Sequence, residues 1–126
     1  MSTSYFCVLL AAILPYIWVG YAKFSSKGYN NNAPREFLEK QGGAAKRAHY
    51  AHLNSFEAFP AFATAVIIAH LAGVKEEAIN TLAISFIVFR ILYGICYIFD
   101  KASIRSLIWF GGFASVISLF ILALIK

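Results

Sequence analysis

Polar and ionisable residues recur at helical spacing inside apolar stretches of this chain, and they are its clearest indication of chemistry. Two stripes and one further arginine make up the set: Arg47, Tyr50, Asn54 and Glu57; Arg90, Tyr93 and Tyr97; and Arg105. Residues three, four and seven positions apart share one face of a helix. Because an ionisable group at membrane depth costs roughly 2.5–3.5 kcal/mol, such groups rarely persist without a partner or a function. The stripes therefore predict a polar binding site.

The side chains in this set favour a small zwitterionic ligand that carries more than one carboxylate. An arginine stays charged and presents a planar fork of donors, which suits carboxylates or a thiolate. Glu57 can bind an ammonium group or pair with Arg90, Asn54 offers both a donor and an acceptor, and tyrosine hydroxyls can donate to an anion.

Each part of the set also has a purely structural alternative. The Glu57–Arg90 pair could fix helix packing, Tyr93 and Tyr97 could belong to an interfacial aromatic belt, and Arg105 could snorkel at a helix end. Eight residues that agree in both depth and helix face favour the binding site.

Composition indicates the elements that must position these residues. The chain has 126 residues, of which 60% are hydrophobic and 13% are charged, whereas a soluble domain has about 25% charged residues. Four apolar stretches, residues 5–22, 48–72, 78–99 and 106–125, approach the roughly 20 residues that span a bilayer as a helix. No alternating pattern indicates membrane strands. The sequence predicts an all-α membrane protein, one domain over residues 1–126 with a bundle of four transmembrane helices.

Lys and Arg are unevenly distributed between the predicted loops. One side holds Lys23, Lys27, Arg35, Lys40, Lys46, Arg47, Lys101 and Arg105, and the other holds Lys75 and Lys126. The positive-inside rule makes the first side cytoplasmic and both termini non-cytoplasmic. At 1.5 Å per residue, the polar set lies within roughly 15 Å of the cytoplasmic boundary. The basic residues flank the membrane rather than form a separate face, so no nucleic-acid partner is expected.

Further residues are assigned to structure. His49 and His52 lack a matching carboxylate or cysteine, and Cys7 and Cys96 lie in apolar stretches, so no metal is expected. The first apolar stretch is expected to be retained, because MSTS has no basic residue and no cleavage motif follows. Residues 35–40 predict a short interfacial helix, and the pair at positions 111 and 112 (Gly-Gly) predicts a close helix contact.

Residues 47–62, RAHYAHLNSFEAFPAF, resemble the second-helix signature of the MAPEG family, the membrane-associated proteins in eicosanoid and glutathione metabolism. The matching residues are Arg47, Ala51, His52, Asn54, Glu57, Phe59 and Pro60. Arg90, Tyr93 and Tyr97 match the family pattern of the third helix. Arg105 and Ser106 match the Arg-Ser pair that opens the fourth helix.

The resemblance implies a homotrimer that holds glutathione, as co-substrate, between neighbouring subunits near the cytoplasmic side. The implied glutathione-binding residues are Arg47, His52, Asn54, Glu57, Arg90, Tyr93 and Tyr97, and Tyr50 of the first stripe is assigned to the same set. Arg105 is implied to stabilise the glutathione thiolate, which is the nucleophile, and Ser106 is the next candidate to donate to the sulfur. A lipophilic small molecule and membrane lipid are the other implied partners.

One position departs from the family pattern. Many eukaryotic members have an arginine directly before the Ala-His/Gln-x-Asn core, and this chain has Tyr50 there. Because glutathione would lose one carboxylate contact, a dedicated leukotriene or prostaglandin synthase is disfavoured. A general detoxifying glutathione transferase or glutathione-dependent peroxidase, of the kind expected in bacteria, is the preferred interpretation.

Two other functions remain open from the sequence. A non-catalytic branch of the family presents lipid to a partner enzyme, but it lacks parts of the glutathione-binding set that is present here. A minimal transporter subunit would line a path with polar residues. Here the polar residues stop midway along the predicted helices, which disfavours transport.

Overall fold

Five α-helices form the computed structural model within the part of the chain that it describes, residues 1–26, 28–29 and 31–126. They are α1 (Ser2–Phe24), α2 (Pro34–Glu39), α3 (Gly43–Leu71), α4 (Glu76–Ile98) and α5 (Ala102–Leu124). The described residues are 84% helical and contain no strand, which confirms the all-α prediction. The short helix expected at residues 35–40 is also confirmed as α2, which begins with a proline at its first position, where the missing N–H costs nothing.

Three of the helices are long and apolar enough to cross a membrane, namely α1, α4 and α5. α3 is the longest at 29 residues, yet it is not among the described helices that meet this standard. Its first half carries Arg47, His49, Asn54 and Glu57, and these polar groups lower its mean hydropathy. Three of the four predicted membrane spans are therefore supported, and the span predicted for α3 stays a prediction.

α3 and α4 occupy the middle of the bundle. α1 packs against both of them on one side, and α5 packs against both of them on the other. In the core, the rings of Phe62 and Phe86 stack with centroids 3.9 Å apart. Small buried residues of α3 and α4, including Ala65 and Ala83, let the helix backbones approach closely.

The two ends of the bundle differ in chemistry. One end, which we call the loop end, is where α1 and α4 finish and where α3 and α5 begin. At this end α2 packs against α3. There the buried Leu38 of α2 packs with Trp18 and Ile98. At the opposite end the Ser4 hydroxyl and the Nε2 atom of His70 are 2.7 Å apart. Basic residues concentrate at the loop end. Lys27, which the sequence analysis counted with them, lies outside the described residues.

Close contacts at glycines fix the spacing between helices. A Cβ atom at Gly111 of α5 would lie 2.6 Å from the Phe89 ring of α4, and one at Gly94 would collide with the Trp18 ring of α1. Because glycine has no side chain, the Phe89 and Trp18 rings can pack directly against the backbone at these two positions. The expected close contact at residues 111 and 112 is thereby confirmed, and it brings α5 against the part of α4 that carries the polar stripe.

Candidate functional site

An open groove runs between α3, α4 and α5 towards the loop end. It consists of three adjoining clefts with about 600, 540 and 410 Å³ of empty space. Asn54 and Glu57 line the first and second clefts, Tyr93 lines the second and third, and Trp109 lines the first and third. Because the clefts share these residues, we treat them as one feature, the groove.

Eight of the ten residues predicted for the site line this groove. They are Tyr50, Asn54, Glu57, Arg90, Tyr93, Tyr97, Arg105 and Ser106. The sequence spacing places each stripe on one helix face, but the packing of α3 against α4 and of α5 against α4 is what brings the faces together.

Arg90 is the most deeply placed cation of the groove. Its side chain is only 4% exposed, and its Nη2 atom donates a hydrogen bond of 2.6 Å to Oδ1 of Asn54. Its guanidinium also lies 4.4 Å from the centre of the Tyr93 ring. A buried charge requires such partners, because its transfer from water is otherwise very costly. Asn54 and Tyr93 therefore hold Arg90 in place.

The ion pair between Glu57 and Arg90, one of the alternatives that the sequence left open, is not formed. Among the described residues, ion pairs within 4.0 Å join the N-terminus to Glu76 and Lys40 to Glu36. Asn54 lies nearly one turn before Glu57 on α3 and already supplies the oxygen that Arg90 contacts. The exposed Glu57 carboxylate instead lines the groove, where it is available to a ligand.

Tyrosine rings form a row along the groove, and cations lie against them. The ring centroids of Tyr50 and Tyr97 are 6.3 Å apart, and those of Tyr97 and Tyr93 are 5.7 Å apart. The Arg105 guanidinium lies 4.2 Å from the centre of the Tyr97 ring. Contacts of this kind are worth about 0.5–2 kcal/mol, so the rings orient the guanidinium groups along the wall.

Arg105 is not the first residue of its helix, which corrects the sequence prediction. α5 begins at Ala102, and the backbone N–H of Arg105 donates to the Lys101 carbonyl at 2.9 Å. Hydropathy marks only where the apolar part of a helix starts, so the polar first turn of α5 was missed. Arg105 acts at the groove through its side chain, and the exposed Ser106 follows it along the same cleft.

Arg47 and His52 lie outside the residues that line the three clefts. Arg47 donates from Nε and Nη2 to the Ile98 carbonyl at 3.1 and 3.0 Å, which satisfies an otherwise free group at the end of α4. His52 is buried, with Nδ1 2.8 Å from the Pro15 carbonyl of α1. Both side chains join α3 to a neighbouring helix rather than line the groove.

Sequence reasoning missed Trp109 and the apolar part of the groove. Trp109 lines two of the clefts and stacks on Phe113, with centroids 5.2 Å apart. Phe86 and Val116 continue the apolar wall. Trp109 follows Arg105 by four residues, so helical spacing alone could have indicated that it shares the face of the predicted catalytic residue.

A comparison with protein-family models matches residues 3–125 of the chain to the MAPEG family. The chain belongs to the MAPEG family. Comparisons with curated proteins and with solved structures gave no match. MAPEG proteins are membrane-bound and use glutathione, and the family includes transferases, peroxidases and non-catalytic members.

Within the described ranges, no group of three or more His, Cys, Asp and Glu residues could hold a metal ion. The ring centroids of His49 and His52 are 6.4 Å apart, and both side chains are buried.

Substitution of the two acceptors on α3 separates the structural role from the ligand-facing role. Asn54→Ala should lower the free energy of unfolding by roughly 1.5–3 kcal/mol, because Arg90 loses its hydrogen-bond acceptor. Glu57→Gln should leave stability nearly unchanged. Thermal unfolding of both variants in the same detergent measures this difference. An equal loss of stability for Glu57→Gln would instead indicate that Glu57 is paired with Arg90.

Proposed function

We propose that this chain is a membrane glutathione transferase that joins the glutathione thiolate to lipophilic electrophiles, with glutathione bound in the groove. The observation that supports this most is the convergence of Arg90, Arg105 and the exposed Glu57 on one groove with three tyrosines. Family membership provides independent support, since MAPEG proteins use glutathione.

Each polar group of glutathione has a suitable partner in the groove. The Glu57 carboxylate accepts hydrogen bonds from the γ-glutamyl ammonium group. Arg90 and Asn54 form a fixed polar pair, 2.6 Å apart, whose remaining donors suit a carboxylate. The tyrosine hydroxyls donate to the peptide and carboxylate oxygens. Arg47 and His52 are left out of the proposed binding set because their side chains bond α4 and α1.

Arg105 stabilises the thiolate, which is the reacting form of glutathione. A guanidinium beside the sulfur favours the charged form, so a larger thiolate fraction exists at neutral pH. The thiolate then attacks an electrophilic carbon: a sulfur–carbon bond forms, and the leaving group departs with its electron pair. Ser106 lies next to Arg105 and is the second candidate donor to the sulfur.

The apolar part of the groove provides room for the second substrate. Phe86, Trp109, Phe113 and Val116 line it directly beside Asn54 and Arg90. An electrophile dissolved in the membrane can enter the groove from the lipid along this apolar wall and reach the thiolate at the polar end. The same thiolate could reduce a lipid hydroperoxide, which makes glutathione-dependent peroxidase activity compatible with this site.

The proposal includes the assembly and placement of the chain. Residues 1–126 form a single domain whose four long helices, α3 included, span the membrane, with both termini non-cytoplasmic and the groove near the cytoplasmic side. Three such subunits associate as a homotrimer. The eight-to-two distribution of Lys and Arg supports the orientation, and the exposed polar groups of α3 support burial against another subunit.

A non-catalytic lipid-binding member of the family is the second candidate. The apolar wall of Phe86, Phe113 and Val116 favours it, because such a surface suits an acyl chain without any chemistry. A lipid-binding function alone would give Arg105 and Glu57 no role.

Glutathione binding and turnover test the proposed function directly. Reduced glutathione should raise the unfolding temperature of the protein in mild detergent, since a ligand that binds only the folded state stabilises it. The protein should also conjugate glutathione to a chromogenic aryl halide. If glutathione stabilised the protein but no turnover occurred with this electrophile, with other electrophiles or with a lipid hydroperoxide, the non-catalytic candidate would be favoured. The absence of both stabilisation and turnover would refute the glutathione proposal.

The oligomeric state gives a second test. Native mass spectrometry or crosslinking in mild detergent should show three subunits, because a lone 14.0 kDa bundle leaves the carboxylate of Glu57 and the amide of Asn54 facing lipid. A monomer that still binds glutathione would contradict the trimer while leaving the binding site intact.

Substitution of Arg105 tests the thiolate assignment. Arg105→Ala should lower turnover more than glutathione affinity, because the lost interaction is strongest with the thiolate. The deficit should shrink as pH rises, since glutathione then ionises without help. Ultraviolet absorbance of the bound thiolate, titrated against pH in both proteins, measures the effect. Identical thiol pKa values would exclude this role, and Arg105→Lys is the control that keeps the charge.

A further inference from the structure

Lys46 extends the row of cations and tyrosine rings to the loop end of the groove. Its Nζ atom lies 5.7 Å from the centre of the Tyr50 ring, and Tyr50 lines the groove. Arg105 on Tyr97 and Arg90 on Tyr93 repeat this arrangement further in. Lys46 and Tyr50 are four residues apart, so both project from the same face of α3.

Three other basic side chains at the loop end are already engaged elsewhere. Arg47 bonds the Ile98 carbonyl through two nitrogens. Lys40 pairs with Glu36 at 3.2 Å, and Lys23 lies over the Tyr29 ring. Lys46 has no carboxylate within 4.0 Å among the residues that the structure describes. Its three ammonium donors are therefore available beside the groove.

We propose that Lys46 binds a carboxylate of glutathione at the loop end of the groove and thereby determines affinity for the doubly carboxylated tripeptide. This inference rests on the proposed function for the identity of the ligand. It adds a residue that the family motif and the polar stripes do not include.

Charge and length both favour this assignment. Reacting glutathione carries two carboxylates, one thiolate and one ammonium group. With Lys46, the groove offers three cations and one carboxylate, Glu57, which is the complementary set. The tyrosine centroids lie 6.3 and 5.7 Å apart in succession, a span comparable with the roughly 10 Å of an extended tripeptide.

Matched charge variants test Lys46. Lys46→Met should weaken glutathione binding about two- to fivefold at low salt, as expected for a partly exposed ion pair, and the difference should shrink at high salt. Lys46→Arg should restore binding. Lys40→Met is the control, because it removes the same charge from the same end away from the groove. With saturating glutathione, turnover of Lys46→Met should match that of the unsubstituted protein.

Ligand variants show which interaction is lost. Calorimetry with glutathione and with glutathione esterified at the glycine carboxylate forms a cycle with Lys46→Met. If Lys46 binds the glycine carboxylate, the substitution should weaken the binding of glutathione but not of the ester. If it binds the γ-glutamyl carboxylate, the binding of both ligands should weaken alike, and only at low salt.

Equal affinities of Lys46→Met and Lys40→Met for glutathione would overturn the inference while the proposed function stands. If the unsubstituted protein failed to bind glutathione, both would fall. A loss of turnover at saturating glutathione, without a loss of affinity, would likewise overturn the binding role of Lys46.

Discussion

A guanidinium inside an apolar helix bundle requires oxygen acceptors and aromatic faces around it, and the arrangement of this protein depends on how Arg90 obtains them. Asn54 supplies the oxygen at 2.6 Å, and Tyr93 supplies the ring. Because these partners come from α3 and α4, the contact fixes the rotation of one helix against the other. Tyr50, Glu57 and Tyr97 of the two stripes then line the groove.

Distribution of polar contacts among neighbouring residues explains why some polar side chains are free to bind a ligand. Arg47 and His52 bond carbonyl groups of α4 and α1 and hold the bundle together. Asn54 holds Arg90. With these contacts satisfied, Glu57 and Arg105 are not required for packing, and both line the groove. Polar residues close together on α3 thus have different roles.

The groove combines a polar end with an apolar wall, and this combination suits a reaction between a water-soluble thiol and a lipid-soluble electrophile. Tyrosine rings line the polar end, where the face of a ring attracts a cation. The wall formed by Trp109 and Phe113 lies directly beside Arg90. Membership of the MAPEG family agrees with this division, because the family is membrane-bound and uses glutathione.

The sequence by itself determined the helices, the membrane class, the family and most of the residues of the candidate site. Hydrophobic run length and three- and four-residue spacing are local properties of a helix, so residues 5–22, 78–99 and the stripe from Arg90 to Tyr97 could be interpreted without tertiary information. The tertiary structure decided the partners. Only packing could select Asn54 rather than Glu57 as the acceptor for Arg90, since both lie on the same face of α3 within one turn. The same holds for the apolar wall, because it combines Phe86 of α4 with Trp109, Phe113 and Val116 of α5 and so depends on how these two helices pack.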